Sequence, residues 1–389
     1  MDCYRYLNQG FPDMITYNNG AEDGFYYFEP TLDWICKMDT NGNIIYYKYA
    51  EKNVYDFRRE TFADGNSYYC YRETTPITEG AMYMLPTTAR AFAKEVIMDE
   101  EYNIIKEVRG LVDSDGDIGL PLDNHEFVWL DLNHYICMSY VPKYVDNIPD
   151  DVEGKRSYSS RVLATVIQEV QNGRVVFEWD STNYPELYGL SVEGNRYQND
   201  TKGSQWADYM HCNSIDIDPK DGNLLVSFRN LNSIIKIDRQ TGDILWILGG
   251  IGDMFGLTDN QKFNRQHFAR YTKEGSITLF DNSTNYDVGE GEYYGNGTGV
   301  PRGLEFYLDE ANKKIISWKS YDYGMPQSEI MGSAQKLSED KMLLGWGYSI
   351  QKPSYAMFSE IDTKNNTILF ECSSDTHSNM TYRVYKDVQ

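Results

Sequence analysis

The sequence predicts an all-β chain: a six-bladed β-propeller of four-stranded blades, its ring closed by the C-terminal strand. Three observations predict it. A polar turn followed by an apolar run recurs six times along the chain. Helical periodicity is scarce, while tyrosine, a residue suited to pleated strands, makes up 33 of 389 residues. Three of the five histidines occupy the same place in the repeating unit.

The turns are read first, because they set the period. Asp39-Thr40-Asn41-Gly42 precedes Ile44-Ile45-Tyr46-Tyr47, and Asp99-Glu100-Glu101 precedes Ile104-Ile105. Asn172-Gly173 leads to Val175-Val176-Phe177, and Asp238 through Gly242 leads to Ile244-Leu245-Trp246. Asp309 through Asn312 leads to Ile315-Ile316, and Asp362 through Asn365 leads to Ile368-Leu369-Phe370. Self-similarity at a long fixed spacing marks a propeller or solenoid, and alternating segments between Gly, Asn and Asp make the units all-β.

Four strands are legible in the clearest unit, over residues 212–218, 224–229, 233–238 and 243–248, with Lys220-Asp221-Gly222-Asn223 as a hairpin turn. The next unit repeats the pattern at 267–272, 276–281, 303–309 and 314–318. Four-stranded sheets repeated six times fit six blades. The first unit, near residues 24–49, has three strands, and the chain ends on an unpaired strand at 381–385. That last strand is expected to supply the missing inner strand of the first blade. Residues 1–20 are read as a lead-in segment and 21–389 as the propeller.

Composition limits the function. The net charge of −23 opposes nucleic-acid binding, which needs a basic footprint, and leaves any anionic substrate dependent on a local cationic site. No apolar run is long enough to span a membrane, so no membrane partner is expected. The start, Met1-Asp2-Cys3-Tyr4-Arg5, has no basic stretch followed by an apolar one. A cytoplasmic location is therefore the expectation, with a periplasmic or secreted one, its signal removed, as the alternative. The six cysteines lack CxxC spacing and read as free thiols.

The chemistry is expected where the inner strands begin. His125, His211 and His267 each open such a strand, so their rings are predicted to meet at one end of the central funnel. Adjacent strands are antiparallel, so the end of the second strand lies beside the start of the first, which puts Arg229 near His211. Asn213, two residues after His211, shares its face if the strand alternates. Three imidazoles, a guanidinium and an amide suit a tetrahedral oxyanion. His134 reads as a solvated turn residue, and His377 is ambiguous. A zinc site built on the three histidines is opposed by Arg229, since a fixed cation disfavours a second one. No GxSxG elbow and no Walker loop are present.

These residues resemble the bacterial arylsulfate sulfotransferases. The resemblance is carried by Ala207–Asp216 with Gly222–Asn230, by Ile234–Asp238 with Thr241-Gly242, and by Trp246–Gly250. Arg265-Gln266-His267 with Leu279-Phe280-Asp281-Asn282 is similar to a second signature, and Asn124–Phe127 to an earlier one. The resemblance implies a six-bladed propeller that moves a sulfuryl group from an aryl sulfate donor to a phenolic acceptor, with no cofactor and no phosphoadenosine phosphosulfate. It implies His267 as a nucleophile that forms a transient sulfohistidine. His211, Arg229 and His125 would hold the sulfuryl oxygens, and Asn213 would assist. The family also places a polar site residue just before a Tyr-Arg pair. Met380 and Thr381 precede Tyr382-Arg383 here, and Thr381 is the polar one of the two. Relatives with an N-terminal β-sandwich or with a cysteine pair ahead of the Gln-His motif differ from this chain on both counts, which leaves oligomeric state open. Two other classes stay open beside this one: a non-catalytic propeller that binds an anionic ligand or a partner, and a histidine-metal-dependent hydrolase.

Overall fold

The six recurring turns join the third and fourth strands of six blades. In the hairpins that open on an aspartate a side chain does locally what the ladder cannot. Asp39 Oδ1 accepts from the N–H groups of Asn41 and Asn43, Asp99 Oδ1 from Glu101 and Asn103, and Asp362 Oδ1 from Lys364 and Asn365. At least one residue of each turn takes a left-handed conformation, for example Gly42 (φ 82°), Gly242 (φ 82°) and Asn366 (φ 54°), and in blade three both Asn172 and Gly173 do. The repeat seen in the sequence is this Asx-turn chemistry.

The computed structural model describes residues 10–75, 92–154, 159–193, 197, 206–284, 299–324, 328–348, 356–375 and 379–388. Its sheets are antiparallel and form a ring of six blades. Blade three comprises Phe127–Asp131, His134–Val145, Ser160–Gln171 and Arg174–Asp180. Blade four comprises Cys212–Ile217, Leu224–Phe228, Ser233–Ile237 and Ile244–Leu248. Blade five comprises His267–Tyr271, Ile277–Asp281, Arg302–Asp309 and Lys314–Tyr321. In blade two (Val54–Thr61, Ser67–Thr74, Phe92–Met98, Ile104–Val108) the third strand also carries a short ribbon, Ile118–Asp123 paired with Gly110–Val112. Blade six (Ser333–Ser338, Lys341–Gly345, Phe358–Asp362, Thr367–Ser374) gains a fifth, outer strand from Met14–Asn18.

Ring closure takes the expected form with a shifted register. The strand that completes blade one beside Gly24–Phe28 is Val384–Val388, with Phe28 paired to Val384 and Gly24 to Val388. Residues 381–383 stay out of the ladder because the N–H groups of Tyr382 and Arg383 donate instead to the Glu29 carboxylate, at 3.1 and 3.3 Å.

The apolar core is divided among the blade interfaces. Tyr26, Phe28, Leu343, Phe358, Phe370 and Val384 fill the seam between blades six and one. Met138, Ile167, Phe228 and Ile235 fill the seam between three and four, and Leu225, Leu248, Leu279 and Phe306 the seam between four and five. Each fully buried side chain of this kind contributes roughly 1.5–3 kcal/mol, and the seams hold the inner strands around a common axis. No helix among the described residues is long and apolar enough to cross a membrane. The described cysteines, Cys36, Cys70, Cys137, Cys212 and Cys372, are buried free thiols.

Candidate active site

The three histidines predicted to meet do so. The His125 and His211 ring centroids are 5.0 Å apart at 77°, and Tyr140 lies against both, at 6.1 and 5.7 Å. His267 is close enough to Arg229, His125 and His211 for all three to oppose a positive charge on its ring. The Arg229 N–H donates to the His211 carbonyl at 2.9 Å, as the antiparallel pairing of the two strand ends requires. Left-handed backbone gathers at the same spot, at His211 (φ 54°), Arg265 (φ 51°) and Phe268 (φ 57°). Such conformations cost about 1–3 kcal/mol each and persist where the surroundings over-determine them.

Each imidazole is steered through Nδ1. His125 Nδ1 lies 2.6 Å from Asp123 Oδ1, and His211 Nδ1 2.7 Å from Asp208 Oδ2. His267 differs, since its Nδ1 faces two neutral oxygens, Asn282 Oδ1 at 2.7 Å and the Arg265 carbonyl at 2.9 Å. The Asn282 amide cannot be turned around, because its Nδ2 donates to the carbonyls of Ser328 and Met331, both at 3.0 Å. The network therefore assigns the proton of a neutral His267 to Nδ1 and the lone pair to Nε2. Among the described residues, the donor that approaches Nε2 is the Met331 N–H, at 3.3 Å. Burial, with Arg229 and the other two imidazoles next in effect, holds the His267 pKa well below the usual imidazole range. Burial also lowers that of His211, against the pull of Asp208.

Arg229 stands in the turn that follows the second strand of blade four, not in the strand itself. Its Nη1 donates to Glu193 Oε1 at 3.1 Å and to Asn230 Oδ1 at 2.8 Å. Glu193 also grips Arg265 through both oxygens, at 2.8 and 2.7 Å. Burial works against the Glu193 charge, but Arg229 and Arg265 outweigh it and keep the carboxyl below its ordinary pKa. The arginine fork is thus held at the rim of the imidazole cluster by a carboxylate.

The two residues read as substrate-binding are placed differently. The ladder is irregular between Cys212 and Ser214 and His211 is left-handed, so strict alternation fails. Asn213 is fully buried, and its Nδ2 donates to the Gln266 carbonyl, the peptide just before His267, at 2.7 Å. Its Oδ1 is buried and has no hydrogen-bond partner among the described residues. The Thr381 hydroxyl, also fully buried, lies 3.0 Å from the Glu29 N–H, 3.0 Å from Glu29 Oε2 and 2.8 Å from the Arg383 carbonyl. Those contacts hold the C-terminal strand to blade one and do not bring Thr381 to an imidazole. His134, read as solvated, pairs through Nε2 with Glu169 at 2.6 Å, and His377 lies outside the described residues.

Several residues of the site escaped the sequence reading. Asp123 and Asp208 stand two and three residues ahead of their histidines, a signal that was there to be used. Asn282 ends the second strand region of blade five beside His267, in the same antiparallel relation that placed Arg229 beside His211; His267 pairs with Phe280. Below the cluster lies a buried ionic layer without any such signal. Arg383 donates to the carbonyls of His125 (3.1 Å) and Asn213 (2.9 Å) and pairs with Asp56 (2.8 Å) and Glu126 (3.1 Å). Arg72 and the Tyr382 hydroxyl donate to the same His125 carbonyl, at 3.1 and 3.0 Å. Away from the funnel, Asp218, Asp221 and Glu310 are close enough to hold a cation, and the Lys236 ammonium lies among them at 2.6–2.7 Å.

Among solved structures, the chain is similar to a protein of unknown function from Bacteroides caccae, at 9% identity and TM-score 0.48, covering 95% of this chain and 100% of that one. It is similar to a streptogramin B lyase at 13% identity and TM-score 0.40, over 92% and 86% of the two chains, and to a luciferin-regenerating enzyme at 8% and 0.42, over 94% and 96%. Likenesses this loose carry no argument about function. No curated protein matches the chain. The profile of the arylsulfotransferase (ASST) family matches residues 96–352, a span that takes in all three imidazoles, Arg229, Asn282 and Met331. The chain belongs to the arylsulfotransferase family.

Proposed function

We propose that this protein transfers a sulfuryl group from an aryl sulfate donor to a phenolic acceptor in two steps through a sulfohistidine on His267, without phosphoadenosine phosphosulfate. The observation that carries the reading is the setting of His267: its Nδ1 is held by the Asn282 and Arg265 oxygens, which leaves the lone pair on Nε2, and burial beside a guanidinium and two further imidazoles disfavours a charged ring.

In the first step Nε2 attacks sulfur, an N–S bond forms, and the S–O bond to the aryl group breaks with its electron pair leaving on the aryl oxygen. Arg229, His125 and His211 hold the sulfuryl oxygens as charge shifts over them. The aryl oxygen leaves as the phenolate, and His211, oriented by Asp208 through Nδ1, is suited to take the proton of the incoming phenol. In the second step the phenol oxygen attacks sulfur, the N–S bond breaks, and His267 regains its lone pair. Covalent relay of this kind gives ping-pong kinetics.

The test is incubation with 4-nitrophenyl sulfate and a phenol, with no nucleotide present. Nitrophenol release and sulfated acceptor are both expected, and intact-mass spectrometry with donor alone should show one added sulfuryl group that His267→Ala does not acquire. Undiminished turnover in His267→Ala, or turnover with no covalent adduct, would overturn the mechanism. A protein that only binds anions gains no mass.

A further inference from the structure

The peptide of Met331 is wrapped around the His267 ring. Its N–H points at Nε2 from 3.3 Å, its carbonyl accepts from Asn282 Nδ2 at 3.0 Å, and Asn282 Oδ1 accepts from Nδ1 at 2.7 Å. Three residues thereby close a ring of hydrogen bonds that passes through both nitrogens of the imidazole. The segment is held from both sides as well. Gly332 N–H donates to the Tyr382 carbonyl, Tyr348 N–H donates to the Ile330 carbonyl, both at 3.1 Å, and a side chain at Gly332 would collide with the Phe280 ring. Met331 keeps a left-handed backbone (φ 67°), which a non-glycine residue adopts only where its surroundings require it.

We infer that the Met331 main-chain N–H is a catalytic group, an oxyanion donor for the sulfuryl oxygens; this rests on the sulfotransferase reading above. In the resting protein the N–H has a long, weak acceptor in the Nε2 lone pair. When Nε2 attacks, that lone pair becomes the N–S bond and can no longer accept. Sulfur takes the position in line with the lone pair, so the N–H turns off that axis within its held segment, and the acceptors it then meets are the oxygens on the arriving sulfur. The hydrogen bond therefore strengthens as the N–S bond forms, which is the condition for lowering a barrier rather than tightening substrate binding. In the second step the exchange reverses, and the N–H returns to Nε2 as the sulfuryl group departs. A strained residue at this point is consistent with that duty, because a right-handed or extended Met331 would aim its N–H elsewhere.

The experiment deletes this one N–H. Incorporating the α-hydroxy analogue of methionine at position 331 replaces the amide by an ester, while the side chain and the 331 carbonyl that holds Asn282 remain. Pre-steady-state nitrophenol release is compared with the native chain and with an ester at position 348, which removes the N–H that holds the Ile330 carbonyl and so controls for the weakening of that carbonyl in the 331 ester. The rate of sulfuryl-enzyme formation should fall on the order of 100-fold in the 331 ester, with donor affinity and the 348 ester close to native. A 331 ester as fast as the native chain, or equal losses at 331 and 348, overturns the inference. A native chain that releases no nitrophenol removes the sulfotransferase reading, and this inference with it. If the ester protein does not fold, the native chain decides: with methionine ¹⁵N-labelled, the Met331 amide proton should move downfield on sulfurylation, and an upfield move to the position of an unbonded amide would show that no sulfuryl oxygen replaces Nε2.

Discussion

Two of the three imidazoles have a carboxylate behind Nδ1, and the third has an amide. That difference sorts their roles. Asp123 and Asp208 lie against Nδ1 of His125 and His211 and orient both rings. Asn282 fixes the tautomer of His267 without adding a charge, and burial keeps the ring neutral. The sign for activity follows. A depressed pKa means that His267 holds its lone pair at pH values where an ordinary imidazole has lost it, so the acid limb of the first half-reaction should fall below the ordinary imidazole value of about 6.5. Stopped-flow nitrophenol release under single turnover measures it, and a limb at or above 6.5 would contradict the assignment. Asn282→Asp places an anion on Nδ1 and favours the imidazolium. The limb should then move to higher pH and the rate at neutral pH should drop; an unmoved limb would mean that Asn282 does not govern this ring.

At the scale of strands, the side chains of the candidate site sit where the inner strands begin, and what aims them is the layer beneath. Arg383 ties the carbonyls of His125 and Asn213, from blades three and four, to the carboxylates of Asp56 and Glu126. The group is fully buried, so removing one member leaves charge uncompensated, a loss of roughly 3–5 kcal/mol. Arg383→Met should lower stability to urea by about that amount, and an unchanged midpoint would show that the remaining cations suffice, Arg58 and Arg72 paired with Asp56 and Arg270 paired with Glu126. The sequence revealed the strands of this layer but not its ion pairs. Hairpins such as Asp39–Asn43 were legible because the acceptor and its donors lie within four residues of each other. The bonds of Glu29 to Tyr382 and Arg383 cross more than 350 positions, leave no local trace, and are the reason the closing strand begins at Val384 and Thr381 is drawn away from the imidazoles.

For the whole molecule, closure is what makes the site. Each inner strand is positioned by its two neighbours, so the funnel keeps its shape only while the ring is complete. Ending the chain after Arg383 removes the strand paired with Gly24–Phe28 and the Val384 side chain from the seam between blades six and one. The truncated chain should lose a single cooperative thermal transition and expose apolar surface to a dye such as ANS. A native-like transition would mean that the ring holds without its closing strand.

The sequence by itself determined the β class, the number of blades and the meeting of His125, His211 and His267, together with Arg229. All of these follow from short-range turn chemistry, repeated spacing and the antiparallel rule. Tertiary structure alone decided which nitrogen of His267 is available, where the Met331 N–H points, and what the buried hydroxyl of Thr381 and amide of Asn213 are bonded to. Those are matters of a few tenths of an ångström between residues distant in the chain. Hydrogen bonds depend on that distance and direction, and a linear pattern of residue types carries neither.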